Sequence, residues 1–189
     1  AELFRDYTRH DQFMILDARS DFRGLFLEIN GKLRKLGAGV FGAKAATANA
    51  LAAEAGAIDV REGFLRTYAP GAFDSVPLNF ADGTGVSVDL DEMDETLKET
   101  GFRTAGLMTS TGTFKAKIAG DFSNPDQCVG RTVVLMTVPT AFADSVQGNL
   151  RVVKPAKGLG AKISRQPAGE GRVKFLATIE RTGMLLIVR

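Results

Sequence analysis

The chain reads as a mainly β protein with one or two short helices, built as a small β-barrel or sandwich core with an extended N-terminal arm and long loops. Three observations predict this. Twenty-one glycines are scattered among short apolar runs in 189 residues, which implies many turns and favours strands over a helix bundle. Val173, Phe175, Ala177 and Ile179 alternate with Lys174, Leu176 and Thr178, the two-residue period of a strand with one buried face. Hydrophobic residues make up 44% of the chain, enough to fill a core and to argue against wholesale disorder.

The expected division is an N-terminal region, residues 1–56, and a β-rich core, residues 57–189. In the first region Phe22, Leu25, Phe26, Ile29, Leu33 and Leu36 fall on helical spacing. Asn30-Gly31 lies between the segments 25–29 and 32–36, and Asn-Gly is a strong hairpin signal. Gly24 and Gly31 would each cost about 1 kcal/mol inside a helix, so the hairpin is preferred over helix or arm. Residues 43–55 are Ala-rich with Gly56 as a stop, and Leu51 is their only large apolar group. That segment is a weakly held helix or an arm ordered by a partner.

In the core, residues 89–100 give the clearest helix signal. Asp89 or Asp91 caps it, early acids suit its dipole, and Gly101 ends it. Strands are expected at 114–118, 132–138, 150–153, 172–179 and 184–188. Between Lys154 and Gly171 the chain reads as a long basic loop with little of its own to bury. No internal repeat is evident.

The side-chain inventory nominates no catalytic, cofactor-binding or metal-binding residue. His10 is the single histidine and sits in a polar stretch, so a triad using histidine as base would depend on it alone. Cys128 is the single cysteine, which leaves no intrachain disulfide and no cysteine cluster for zinc. Asp89, Asp91, Glu92, Asp94 and Glu95 lack the glycine-centred spacing of a calcium loop and read as a solvated helix face. Gly158, Gly160, Lys162 and Ser164 miss phosphate-loop spacing by one alanine. No cofactor is expected.

Formal net charge is +2, too near neutral to imply nucleic acid. The charge is unevenly placed. Residues 82–99 hold seven acids against Lys98, and residues 150–189 hold nine bases against Glu170 and Glu180. The two segments either neutralise each other within the fold or meet between copies. No apolar stretch is long enough for a membrane span, and the N-terminal residues do not read as a signal peptide. Synthesis in a reducing cytosol is expected.

Ala69-Pro70-Gly71-Ala72-Phe73 resembles a segment of phage prohead maturation proteases. Those enzymes need a later histidine, and none follows Phe73, so their activity is not implied; a Pro-Gly turn explains the segment. The whole chain resembles the accessory structural proteins of tailed-phage particles. The likeness lies in a Gly/Ala-rich N-terminal part, several strands, one histidine, one cysteine and the two apolar segments at 171–177 and 182–189. It implies a capsid decoration (cement) protein: non-enzymatic, located in the virion after synthesis in the host cytoplasm. Its implied partners are the major capsid protein or other virion proteins and further copies of itself as a homotrimer, with no membrane and no nucleic acid. A tail-tube or head–tail connector protein is the alternative within that setting. A hydrolase or nucleic-acid-binding module is the alternative outside it.

Overall fold

A computed structural model describes residues 9–10, 13–17, 22–24, 32–43, 58–68, 73, 77–93, 95–104 and 108–183. The chain is mainly β with three short helices among these residues. Two of the three sheets among the described residues are built by alternation. The first sheet takes β1 (Arg9–His10), β2 (Phe13–Asp17), β4 (Lys32–Leu36), β6 (Ile58–Val60), β8 (Leu78–Phe80) and β11 (Met108–Ser110), in that spatial order. The second takes the strands between them: β3 (Phe22–Gly24), β5 (Val40–Ala43), β7 (Phe64–Thr67), β9 (Gly85–Asp89), β12 (Phe114–Ala119) and β14 (Leu150–Val153). Apart from the antiparallel β1–β2 pair, every pairing in these two sheets is parallel. A chain that steps between two sheets and returns one strand further along each time is a coil. The body is therefore a two-sheet parallel solenoid, not a closed barrel.

The corners explain why this sequence coils. Each described turn from the first sheet to the second holds a glycine with positive φ: Gly37, Gly63, Gly83 and Gly112, at 78°, 69°, 78° and 76°. Such angles are strained for residues with a Cβ, so glycine fixes a tight corner at the same place in each coil. Backbone bonds stack the corners: Arg61 N–H donates to Lys35 O at 3.0 Å, Ala81 N–H to Val60 O at 2.9 Å, and Thr111 N–H to Phe80 O at 3.1 Å. The return connections vary in length. Leu33 lies opposite Ile58, Ile58 opposite Leu78, and Leu78 opposite Met108, steps of 25, 20 and 30 residues.

Inward positions carry the core. Ile58, Val60, Leu78, Phe80 and Met108 from the first sheet meet Leu65, Val86, Val88, Phe114 and Ala116 from the second, all buried. Phe80 and Phe114 meet edge to face at 5.1 Å, and Phe114 meets Phe142 the same way at 5.7 Å. Such pairs add about 0.5–1.5 kcal/mol each beyond their burial.

The two longest return connections supply the third sheet. The first contains α1 (Glu95–Thr100) and β10 (Phe102–Arg103); the second contains α2 (Pro125–Cys128), β13 (Thr132–Pro139) and α3 (Thr140–Val146). Strands β15 (Leu159–Gly169) and β16 (Arg172–Arg181) form a long hairpin that completes the order β10-β13-β16-β15. Phe73 stacks on Phe102 at 5.4 Å, tying this sheet to the coils. Helix α3 leads into β14 and packs against β11, so it holds the place in the last coil that a strand holds in the others. Beside it, Arg151 Nη1 donates to the carbonyl oxygens of Gly148 and Leu150 at 3.0 and 2.8 Å.

Several expectations change. A hairpin at Asn30-Gly31 is ruled out on its second strand, because β4 has both edges occupied, by β2 and by β6, in parallel. Strands on either side of residue 56 pair directly, β4 with β6 and β5 with β7, so residues 32–43 belong to the body and not to an arm. The helix expected from residue 89 begins at Glu95, because Asp89 closes β9. The expected basic loop, 154–171, is mostly β15. The strands expected at 114–118, 132–138, 150–153 and 172–179 are present. Residues 25–29, 44–55 and 184–188 lie outside the described residues. Among the described residues no helix is long and apolar enough to cross a membrane.

Candidate interaction surfaces

The outer face of the first sheet carries one polar column. Arg34, Asp59, Asn79 and Thr109 occupy the same register in successive coils. Asp59 pairs with Arg34 at 3.8 Å and with Arg61 at 3.3 Å. Asn79 Nδ2 donates to Asp59 Oδ1 at 3.0 Å, and Thr109 Oγ1 donates to Asn79 Oδ1 at 2.7 Å. The column is a brace running along the coil axis. Its exposed charge pairs contribute little each.

The outer face of the second sheet holds a denser cluster. Gly42, Arg66, Ser87 and Lys117 share one register column. Arg66 is 3% exposed, and its guanidinium is well supplied with acceptors. Nε and Nη2 donate to Ser87 Oγ at 3.2 and 2.8 Å, and Nη1 donates to Asp89 Oδ2 at 2.8 Å and Tyr68 Oη at 3.1 Å. The Tyr68 ring lies 5.7 Å from the guanidinium carbon and covers Gly42, where an added Cβ would sit 2.2 Å from the ring. This planar fork matches arginine alone. Arg66→Lys is expected to cost about 1–2 kcal/mol through the lost bonds, read as a lower urea midpoint at unchanged slope; an unchanged midpoint would refute the assignment.

Among the described residues, the ion pairs formed by acids of 82–99 and by bases of 150–189 do not join the two segments. Asp89 pairs with Arg66 and Glu95 with Lys98, while Arg165 pairs with Asp144 and Arg181 with Asp126. Asp91 accepts from Asp121 N–H at 2.7 Å. The Asp121 carboxylate is held below its ordinary pKa by the backbone N–H and side chain of Ser123. A cleft of about 170 Å³ opens between α1 and β13, lined by Leu90, Met93, Lys98, Arg131, Val133 and Val134 among others.

The β15–β16 hairpin sets an exposed strand on a buried one. On β16 the residues Val173, Phe175, Ala177 and Ile179 are buried, as the alternation predicts. On β15 Lys162, Ser164, Arg165, Gln166 and Pro167 are exposed. Thr182 N–H donates to Gly158 O, and Gly130 N–H to Ile179 O. These bonds fix the parity of the ladder. Even-numbered residues of β15 bond to β16, so the N–H and C=O groups of Ala161, Ile163 and Arg165 point away from it. Among the described residues β15 is the edge strand of the sheet. Arg165 reaches back to Asp144 at 2.9 Å and to Gln147.

The residues weighed from sequence are dispersed. His10 lies in β1 opposite Phe13, and Cys128 is buried at the end of α2. Gly160, Lys162 and Ser164 are strand residues of β15. Among the described residues no group of three or more histidine, cysteine or acidic side chains is placed to hold a metal ion. The edge of β15 was hidden in the sequence by its glycines and Pro167; the signal available was the strong strand 172–179 needing an antiparallel partner. Comparison with protein-family models, curated proteins and solved structures finds no match for this chain.

Proposed function

We propose that this chain is a non-enzymatic structural protein that works by packing against other protein chains, as a capsid decoration protein of a tailed-phage particle. The observation that carries the packing role is the β15–β16 hairpin, whose outer strand is exposed at Lys162 and from Ser164 to Pro167 and, among the described residues, ends the sheet as an edge. An edge of this length offers backbone groups to a neighbour, and the flanking side chains select which neighbour. The phage setting rests on the sequence resemblance. In the solenoid body Arg66 and the column through Asp59 use their polar groups to join coils.

The test is co-sedimentation of the purified chain with assembled capsid shells. The protein is expected to pellet with shells and not with dissociated shell subunits. Lys162→Glu with Lys174→Glu, which reverses charge on one face of the hairpin, is expected to reduce the bound fraction severalfold while leaving the circular dichroism spectrum unchanged. A wild-type chain that stays in the supernatant at every shell concentration overturns the reading.

A further inference from the structure

The geometry points to a second copy of this chain as the occupant of the β15 edge, paired antiparallel about a twofold axis at Ile163. This deepens the packing role proposed above and rests on it. Among the described residues, the free groups of the edge belong to Ala161, Ile163 and Arg165. In antiparallel pairing, residues that exchange both bonds face each other directly. A twofold at Ile163 sets Ile163 opposite its own copy, and Ala161 opposite Arg165 of the other chain. All three residues then bond across the axis.

The ends of the edge fit the same register. Pro167 has no N–H to give, and Leu159 N–H is already donated to Ala156 O at 3.1 Å. These are the two positions that would meet next, Leu159 of one copy against Pro167 of the other. Pairing therefore stops where neither side has a donor to offer, at both ends and symmetrically. A register shifted by two residues would break this match, setting a capable residue against Pro167 or Leu159. A shift by one would oppose outward-facing groups to groups already bonded within the hairpin.

Charge also permits it. Lys162 falls opposite Ser164 of the other copy, so no lysine meets a lysine directly. Arg165 falls opposite Ala161, and its guanidinium is held by Asp144. Ile163 and Ala161 are half-buried on the face that packs against the core, which brings Ile163 beside its copy across the axis. An isologous contact of this kind closes at two chains, in place of the threefold expected from the sequence resemblance.

Two measurements on the full chain decide the matter. Sedimentation equilibrium over a concentration series should show a monomer–dimer equilibrium, with Ile163→Pro shifting it to monomer while the spectrum of the fold is retained. If that variant unfolds, single cysteines take its place. Cα atoms of a hydrogen-bonded antiparallel pair lie about 5.5 Å apart, within disulfide reach, and the one native thiol, Cys128, is buried. Ile163→Cys should therefore give a disulfide-linked dimer under mild oxidation, at least about tenfold faster than Lys162→Cys or Arg165→Cys, whose partners are other residues. A monomer at all concentrations, a trimer, or equal cross-linking at the three positions overturns the twofold. A monomer that still pellets with shells sinks this inference alone, and a dimer that ignores shells sinks only the particle reading.

Discussion

Gly85→Ala is expected to destabilise the chain by about 3 kcal/mol, the upper end of overpacking costs, or to prevent folding. In the second sheet Gly85 lies opposite Lys115, and a Cβ built on it would stand 1.7 Å from Lys115 O and 2.8 Å from Lys115 N. Those atoms are backbone, held in the ladder, and cannot swing aside as a flexible side chain would. The coil must separate there or lose its pairing. Urea denaturation reads the effect as a lower midpoint. Gly148→Ala is the control: an added Cβ there meets nothing within 4 Å, and its midpoint should stay within about 0.5 kcal/mol of the parent, as surface changes usually do. Equal stability of the two variants would mean that the strands at Gly85 are further apart than described.

Lys35→Met is expected to cost about 2–4 kcal/mol, from carbonyl oxygens that lose a charged donor. Lys35 is fully buried in a column whose later members are Val60, Phe80 and Ser110. Its ammonium donates to Gly39 O at 2.7 Å, Glu62 O at 2.8 Å and Gly37 O. The tight corner turns these carbonyls inward, and one cation binds them all. Methionine fills the same volume and satisfies none of them. Thermal unfolding of the two proteins side by side checks this; equal midpoints would show that water replaces the ammonium at no cost.

In the last sixty residues Thr132–Pro139 and Arg172–Arg181 were legible because each is long and apolar or alternating, whereas β15, the longest strand, was not, because its glycines, basic residues and Pro167 read as a loop. The coils were not. Their strands run mostly from three to six residues, too short for period-two alternation to stand out. The repeating unit was nonetheless present: Leu78-x-Phe80 followed by Gly83, Ile58-x-Val60 followed by Gly63, and Leu33-x-Lys35 followed by Gly37. It is hidden because the return connections differ in length, which destroys any fixed period, and because Lys35 stands where an apolar residue is expected. Asn30-Gly31 misled for a related reason. A turn dipeptide signals a hairpin only if the strand after it has an edge to spare, and in a solenoid both edges are used. The acidic run was half right: Glu95 does open a helix, but Asp89 and Asp91 serve the strand end and the turn that precede it.

A parallel ladder has no natural length. Each terminal strand is a template on which the next can condense, and the same chemistry that adds a coil within one molecule can recruit a coil from another. Helix α3 removes that invitation on one side, because a helix has spent its backbone groups internally and offers Phe142, Ala143 and Val146 to the core instead of a row of donors and acceptors. Propagation through the far end of the first sheet is thereby arrested, where α3 packs on β11.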